Sequence, residues 1–294
     1  MAVSQLSVQD ERLCNAAGTP IQLKGLSLGW HNWWPRFYNE GVVEELSTKW
    51  KCNVVRAAIG VDHEQGFLRK PEQSIALLKT VIHAAIKFNI YVVVDWHTHT
   101  AHETEAIQFF KKIAADYSGY PNIIYEIFNE PVNQSWKKIK DYSLKIIDTI
   151  RCVDEKNIIL IGSPHWDQDV DIVAKDRIPK DNHIMYSFHF YAATHGDVYR
   201  QKLQAALDGQ LPIFISECGG MEADGNGELN VRSWNKWMQI IEENYLSWLG
   251  WSVADKNETC SILLPTASSH GKWNTNDIKP WGRILKKSLK KQEL

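Results

Sequence analysis

Two glutamates stand at the ends of apolar, strand-forming runs. Glu130 follows the segment IIYEIFN (123–129), and Glu217 follows PIFIS (212–216). An ionised carboxylate is costly to bury unless it is paired or takes part in a reaction. Two facing carboxyl groups can divide acid–base work, because one can donate a proton while the other stays ionised. Glu130 and Glu217 are therefore the candidate catalytic pair, provided that the fold brings them together.

The elements that would position this pair are short apolar runs that alternate with helical patterns, such as those at 72–88, 102–118 and 228–244. Continuous apolar strands of this kind are typical of parallel strands buried on both faces. Their number predicts a (β/α)8 TIM barrel formed by a single domain, residues 1–294, with a hairpin at 4–14 closing the barrel floor. The eight runs are 21–30, 53–59, 91–97, 123–129, 157–164, 184–192, 212–219 and 247–253.

A doubly wound open sheet is the alternative α/β fold. That fold usually carries a glycine-rich phosphate turn after its first strand. Here the first run is followed by the aromatic segment GWHNWWPRFYN (29–39), which favours the barrel.

Polar and aromatic residues occur at the end of one predicted strand after another. In a barrel these carboxyl ends meet at one rim, where the chemistry takes place. Taken singly, an arginine here could be an ion-pair residue, a histidine could be structural and a tryptophan could belong to the core. Together they indicate a site, and its members are Arg56, Asp95, His97, Asn129, Glu130, His189, Tyr191, Glu217 and Trp251.

Carboxylates on opposite walls of a barrel mouth are what the hydrolysis of a glycosidic bond requires. One carboxyl group protonates the leaving oxygen, and the other attacks the anomeric carbon or activates water. Arg56 would keep the second carboxylate ionised through its positive charge. The chain also has 13 tryptophans, whose flat apolar faces suit a sugar-binding cleft.

The whole set of motifs resembles glycoside hydrolase family 5, and most of all its bacterial-type endo-β-1,4-glucanase (cellulase) subgroup. The resemblance extends from about residue 5 to residue 290 and rests on these segments in this order: VVRAAI, VVVDWH, IIYEIFNEP, YSFHFYAATHG, IFISECG and WSVADKNE.

The resemblance implies a role for each matching residue. Glu130 would be the acid/base and Glu217 the nucleophile of a retaining double displacement, without cofactor or metal. Asn129 would bind the sugar 2-hydroxyl, and Trp251 would form the floor of the site, with a cis peptide to Ser252. The other implied substrate-binding residues are Arg56, His97, His189 and Tyr191 around the reacting sugar, Trp33, Trp34, Lys256 and Glu258 on the non-reducing side, and Trp166 and His195 on the leaving-group side.

The chain departs from the family pattern at two places. Close relatives usually have tryptophan after the nucleophile, where this chain has Cys218. Many have a histidine in the first strand-end motif, where this chain reads SLGWHNWW and offers His31 instead. Glu126 points below the site by strand alternation, and we interpret it as a buried partner of Arg56 or of a histidine.

The charge composition gives no indication of a nucleic-acid or membrane partner. Lys plus Arg is 33 and Asp plus Glu is 35, for a net charge of −2, so neither nucleic acid nor an anionic membrane is indicated. No apolar run approaches the length of a membrane span. The N-terminus lacks signal-peptide features, so either the protein stays inside the cell or a signal has been removed. We expect a secreted or periplasmic protein, with any signal peptide absent from this sequence and a cytoplasmic location left open. The partner is a β-linked polysaccharide or oligosaccharide, and we expect a monomer with mostly free thiols.

Two other functions are compatible with parts of the sequence. The segment DWHTHTAHE could place His97 and His99 on a catalytic metal, although we interpret His99 and His102 as solvent-facing loop residues. A non-catalytic carbohydrate-binding barrel would keep the tryptophans but would not need Glu130 and Glu217. Within the glycosidase interpretation, mannan, xyloglucan and mixed-linkage glucan remain alternative substrates.

Overall fold

The computed structural model describes residues 3–179 and 181–290. The chain begins with a hairpin of β1 (Ser7–Gln9) and β2 (Arg12–Cys14). Eight parallel strands then close into a barrel in the order β10-β3-β4-β5-β6-β7-β8-β9, which confirms the (β/α)8 prediction and rules out the open sheet. The barrel strands are β3 (Lys24–Leu28), β4 (Val54–Gly60), β5 (Tyr91–His97), β6 (Ile123–Glu126), β7 (Ile158–Ile161), β8 (Ile184–Tyr191), β9 (Ile213–Gly219) and β10 (Ser247–Val253).

Helices surround this barrel and bury their apolar stripes against it. The predicted helices at 72–88, 102–118 and 228–244 correspond to α2, α3 and α8 within three residues at each end. In α8 the buried side chains are Trp234, Trp237 and Ile241, at the spacing of one helix face. The helices are α1 (Glu40–Thr48), α2 (Pro71–Lys87), α3 (Glu103–Tyr117), α4 (Trp136–Arg151), α5 (Pro164–Asp167), α6 (Val170–Lys175), α7 (Asp197–Asp208), α8 (Val231–Glu243) and α9 (Pro280–Leu289).

The N-terminal hairpin covers one end of the barrel. Leu6, Val8 and Leu13 belong to the same buried cluster as side chains from the strands, among them Val93 and Phe214. The backbone N–H of Val8 also donates to the carbonyl of Asn182, at 2.6 Å. This end is filled with apolar side chains, so the functional groups are left to the opposite, carboxyl end of the strands.

Strand β6 is shorter than its sequence suggests. The apolar run continues to residue 129, but the strand ends at Glu126. The N–H of Ile127 still donates to Leu160 O at 3.1 Å, whereas the N–H of Asn129 donates to Trp96 O at 3.1 Å. The chain therefore leaves regular strand geometry before Asn129, which frees that side chain from the alternation that would turn it away from the barrel interior.

The cysteines are all free thiols, and only Cys152 is exposed. Cys218 is fully buried and contributes nothing to the surface of a cleft. Its Sγ lies 3.3 Å from Leu249 O on the neighbouring strand. No helix within the described ranges is both long and apolar enough to cross a membrane.

His31 is a structural residue that joins three elements. Its Nδ1 accepts the N–H of Gly60 at 2.9 Å, and its Nε2 lies 2.8 Å from Ser74 Oγ on α2. Burial lowers the pKa of His31 to about 4. The folded state thus binds a proton at this ring less readily than the unfolded chain does, so this residue costs stability as the pH falls from the unfolded value near 6.5 towards 4.

We expect His31→Gln to flatten the pH dependence of stability in that window. On acidification, the free energy of unfolding of the variant should fall less steeply than that of wild type. The difference in slope corresponds to at most one proton, or about 1.4 kcal/mol per pH unit. Denaturant titrations at several pH values between 4.5 and 7.5 measure this slope. The offset at pH 7.5 reports separately the cost of the lost contacts, and an unchanged slope would contradict the assignment.

Candidate active site

Arg56, fully buried on β4, lies at the centre of the carboxyl end of the barrel. Its Nε donates to Glu126 Oε2 at 2.6 Å, and its Nη1 donates to Glu217 Oε2 at 3.0 Å. Its Nη2 lies 2.6 Å from Asn129 Oδ1 and 3.0 Å from Asp95 Oδ2. The guanidinium thus faces three carboxyl groups from three different strands. The expectation that Glu126 is a buried partner of Arg56 is confirmed.

Glu217 ends an apolar stretch of β9 and is almost completely buried. Its Oε1 accepts a hydrogen bond from the Tyr191 hydroxyl at 2.6 Å, while Oε2 is held by Arg56. Burial, and next the negative charge of Glu130, raises the pKa of Glu217 against the opposing effects of Arg56 and the Tyr191 hydroxyl. Hydrogen-bond donors therefore orient both oxygens of Glu217, while the negative charge of Glu130 disfavours the ionised form of Glu217.

Glu130 is held by two histidines from different elements. Nδ1 of His189, on β8, lies 2.9 Å from Oε1, and Nε2 of His99 lies 3.1 Å from Oε2. Burial works to raise the pKa of Glu130, but the hydrogen bonds to His189 and His99 lower it to about 2. His99 lies in the loop after β5 and is 45% exposed, as expected for a solvent-facing residue, and its ring nitrogen also reaches the carboxylate.

The two glutamates face each other at short range. A carboxylate oxygen of Glu130, one of Glu217 and a ring nitrogen of His189 all lie within 4.8 Å of one another. Nearest oxygens at most 4.8 Å apart are compatible with the roughly 5 Å separation of carboxyl groups in retaining glycosidases and favour it over the separation of at least about 6.5 Å in inverting enzymes.

Aromatic rings form the wall beside this pair. His97 Nδ1 lies 2.6 Å from Asp95 Oδ2, which fixes the ring. The His97 ring stacks on Trp251 at 5.3 Å with an interplanar angle of 6°, and the edge of Trp30 meets it at 4.2 Å. The peptide between Trp251 and Ser252 is cis, as the resemblance implied. The rings of Trp30, His97 and Trp251 thus form an aromatic surface next to the polar groups around Arg56.

A groove extends from the pair on the side of Trp166. Trp166 is 43% exposed, and Trp33 is 47% exposed although its ring packs against Trp30 and His63. Trp166 lines a groove of about 500 Å³ together with both glutamates, His195 and further polar side chains. His195 itself is nearly buried, and its Nδ1 accepts the N–H of Tyr191 at 2.8 Å.

The remaining residues expected on the non-reducing side lie outside the central hydrogen-bond network. Trp34 is partly buried and packs against the hydrophobic core. Lys256 and Glu258, in the loop after β10, form an ion pair with each other. Neither residue contacts the glutamate pair, so their contribution to binding stays a prediction.

Sequence reasoning missed several members of the site. Ser216 Oγ lies 2.9 Å from His189 Nε2, and Asp167 Oδ2 lies 3.5 Å from the same nitrogen. The only sequence signal for Ser216 was its position directly before Glu217. Asp167 lies in α5, after β7, in a segment whose backbone has positive φ values that no apolar periodicity reveals.

The geometry does not support a metal on the His-x-His segment. His97 Nδ1 is directed at Asp95, His99 at Glu130 and His102 at Asp62. In the described part of the chain, the groups of side chains close enough to share an ion include none of these three histidines. The three rings serve separate partners instead of converging on one point.

The match to a family model decides the relationship. The model of cellulase, glycosyl hydrolase family 5, matches residues 14–257. The chain belongs to this family. An endoglucanase of Clostridium saccharobutylicum is 37% identical over 97% of this chain, and endoglucanase Z of Dickeya dadantii is 37% identical over 95%. The chain spans about two thirds of the length of these curated relatives, 65% and 67% respectively.

Solved structures of similar proteins agree with this family 5 membership. A protein from Cytophaga hutchinsonii superposes with a TM-score of 0.95 at 39% identity, covering 97% of this chain and 94% of that one. The catalytic domain of a Thermobifida fusca endoglucanase, solved in complex with cellotetraose, superposes with a TM-score of 0.93 at 28% identity over 98% and 97% of the two chains.

We expect Arg56→Lys to destabilise the fold by roughly 3 kcal/mol, the scale of breaking a buried ion pair. Lysine keeps the positive charge, but one ammonium group cannot serve Asp95, Glu126, Glu217 and Asn129 from the directions of a planar guanidinium. Denaturant unfolding measures the loss. Arg69→Lys, a surface change of the same type, should stay within about 0.5 kcal/mol of wild type. A loss below about 1 kcal/mol for Arg56→Lys would contradict the central role of the guanidinium.

Proposed function

We propose that this family 5 protein is an endo-acting hydrolase of β-1,4-glucosidic bonds in cellulose and soluble β-glucans that retains anomeric configuration. The observation that carries the proposal is the Glu130–Glu217 pair, whose oxygens lie within 4.8 Å at the carboxyl end of the barrel. The proposal also agrees with the names of the relatives, which are endoglucanases and cellulases.

The reaction proceeds in two displacements. In the first, Glu130 gives its proton to the glycosidic oxygen while an oxygen of Glu217 forms a bond to the anomeric carbon and the bond to the leaving sugar breaks. In the second, a water molecule gives a proton to Glu130, and its oxygen displaces Glu217 from the anomeric carbon. The pair ends with its original number of protons.

In the free protein the hydrogen bonds of His189 and His99 lower the pKa of Glu130, whereas the reaction starts with Glu130 protonated and Glu217 ionised. His99 approaches Glu130 from the half-exposed side, so a sugar on the leaving-group side takes over the position of its hydrogen bond. Losing that donor raises the pKa of Glu130 towards the value an acid needs. When Glu217 becomes an ester its charge disappears, so Glu130 then releases its proton more readily and acts as a base.

Asn129 is placed to recognise the reacting sugar. Its Oδ1 is fixed by Arg56, and its Nδ2 is buried with no hydrogen-bond partner among the described residues. An unpaired buried donor is costly unless a ligand satisfies it. A hydroxyl of the bound sugar would do so, in agreement with the 2-hydroxyl contact that the family resemblance implies.

The form of the cleft favours internal cleavage of a long chain. The groove that holds the pair is open and lined by the exposed Trp166, and Trp33, expected on the non-reducing side, is also exposed. These features support the binding of a polymer across the site. Mannan, xyloglucan and mixed-linkage glucan are the alternative substrates of the same chemistry. Since polymeric glucan does not cross membranes, we further propose that the protein acts outside the cytoplasm. We also propose that it is a monomer.

We expect Glu217→Gln to abolish the thinning of carboxymethyl-cellulose, because the amide cannot form the glycosyl ester. Viscometry of wild type and variant, each with excess chelator, measures internal cleavage directly. Glu243→Gln, on the exposed face of α8, is the matched control and should thin the solution like wild type. Rapid thinning by Glu217→Gln would contradict the assignment. If wild type did not thin carboxymethyl-cellulose but cleaved mannan, the substrate would be mannan and the assignment of β-1,4-glucan would be wrong.

We expect Glu130→Gln to slow cellulose cleavage far more than cleavage of an activated aryl glycoside. An activated leaving group departs without a proton from the acid, so its first displacement is spared. Steady-state rates on both substrates measure the difference. Equal losses on both would show that Glu130 is not the acid.

A further inference from the structure

Asp167 is a fully buried carboxyl group that the proposed reaction does not use. Its Oδ1 accepts the backbone N–H of Ser163 at 2.6 Å, which fixes the side chain. Its Oδ2 has no hydrogen-bond partner within the described chain and lies 3.5 Å from His189 Nε2, outside ideal hydrogen-bond geometry. A buried carboxyl oxygen without a hydrogen bond is costly unless a nearby opposite charge or a bound proton offsets that cost.

His189 is the residue on which these charges converge. Nδ1 lies 2.9 Å from Glu130 Oε1; on the other side, Nε2 lies 3.5 Å from Asp167 Oδ2 and 3.7 Å from Glu126 Oε1. Nε2 also lies 2.9 Å from Ser216 Oγ, a hydroxyl that can either donate or accept. A neutral imidazole carries a hydrogen on only one nitrogen and could donate to a carboxylate on only one of these sides. An imidazolium donates from both. Other charged or titratable groups nearby include Glu217, Asp95, Arg56 across Glu126, His99 on the far side of Glu130, and His97 and His195.

We propose that Asp167 is a positioning residue that keeps His189 in the imidazolium form and thereby sets the proton affinity of Glu130. The chain of contacts runs from Asp167 through the ring to the acid/base carboxyl. The link to Glu130 rests on the proposed function, whereas the charge of His189 is a property of the free protein.

The alternative within the same geometry is a proton on Asp167 beside a neutral ring. Both arrangements hold one proton and have the same net charge. Burial works to lower the pKa of His189, but the charge of Asp167 and then the hydrogen bonds to Glu126 and Glu130 raise it well above its usual value. Burial also raises the pKa of Asp167 well above its usual value, against the charge of His189. We favour the imidazolium because Glu126 and Glu130 lie beside the ring in either arrangement, and because the N–H that Asp167 Oδ1 accepts stabilises the ionised carboxylate.

Replacing Asp167 by asparagine separates the two arrangements. If the proton is on the ring, Asp167→Asn removes one of the anions that hold it there, so His189 becomes neutral at a lower pH than in wild type. The His189 cation lies closer to Glu130 than the Asp167 anion does. For the pKa of Glu130, losing the cation therefore matters more than losing the anion. The pKa of Glu130 then rises. If the proton is on Asp167, the substitution changes neither group.

The test is nitrogen-15 NMR of the histidine rings in the free protein, with the His189 signals assigned by their loss in His189→Gln. We expect both ring nitrogens of wild-type His189 to be protonated at pH 7, and the ring of Asp167→Asn to titrate roughly one to three pH units lower. Asp169→Asn is the matched control, because Asp169 is a buried carboxyl two residues along that pairs with His165 and Lys202 instead. Its His189 should match wild type.

Each other outcome overturns the proposal: a wild-type ring with one protonated nitrogen at pH 7, or a ring that titrates alike in wild type and Asp167→Asn. Asp167→Ser, which keeps an oxygen for the Ser163 N–H, replaces Asp167→Asn if the latter does not fold. In the active enzyme, the alkaline limb of kcat/KM on cellulose should move upward in Asp167→Asn but not in Asp169→Asn. Absence of wild-type activity would instead refute the proposed function, since the NMR result does not depend on turnover.

Discussion

The structure of the site depends on one buried cation, the guanidinium of Arg56. Burying Asp95, Glu126 and Glu217 together would be prohibitive without it, because each carboxylate loses its hydration and repels the others. The planar fork of arginine can address groups from β5, β6 and β9 at once, which a point charge cannot do. The guanidinium therefore fixes the relative positions of strands on opposite sides of the barrel, and with them the position of the proposed nucleophile.

A second centre, around His189, complements the first. Arg56 and Tyr191 orient Glu217, whereas His189 and His99 orient Glu130, so each carboxyl group has its own set of donors. Glu126 connects the two centres, since its Oε2 binds Arg56 while its Oε1 lies 3.7 Å from the His189 ring. The protonation of either centre thus affects the other, and the proton needed for catalysis is distributed over a coupled system of groups.

Much of this architecture could be predicted from the sequence, because alternating apolar runs and helices define a barrel, and barrel strands end in functional groups. Glu130 and Glu217 followed from their positions after apolar runs, and Arg56 followed from its position within such a run. What could not be predicted depended on local departures from regular geometry. The early end of β6 turns Asn129 towards Arg56, the loop after β5 brings His99 back to Glu130, and the left-handed backbone at Asp167 buries a carboxyl group beside His189.

The short separation of Glu130 and Glu217 is the feature that most directly implies a mechanism, and the anomeric configuration of the first product tests it. Proton NMR of a soluble cello-oligosaccharide during early hydrolysis distinguishes the two anomers before they equilibrate. The account predicts that the β-anomer appears first and the α-anomer only later, through mutarotation, since two displacements at one carbon retain its configuration. An α-anomer formed first would show that water attacks directly, which would contradict Glu217 as the nucleophile.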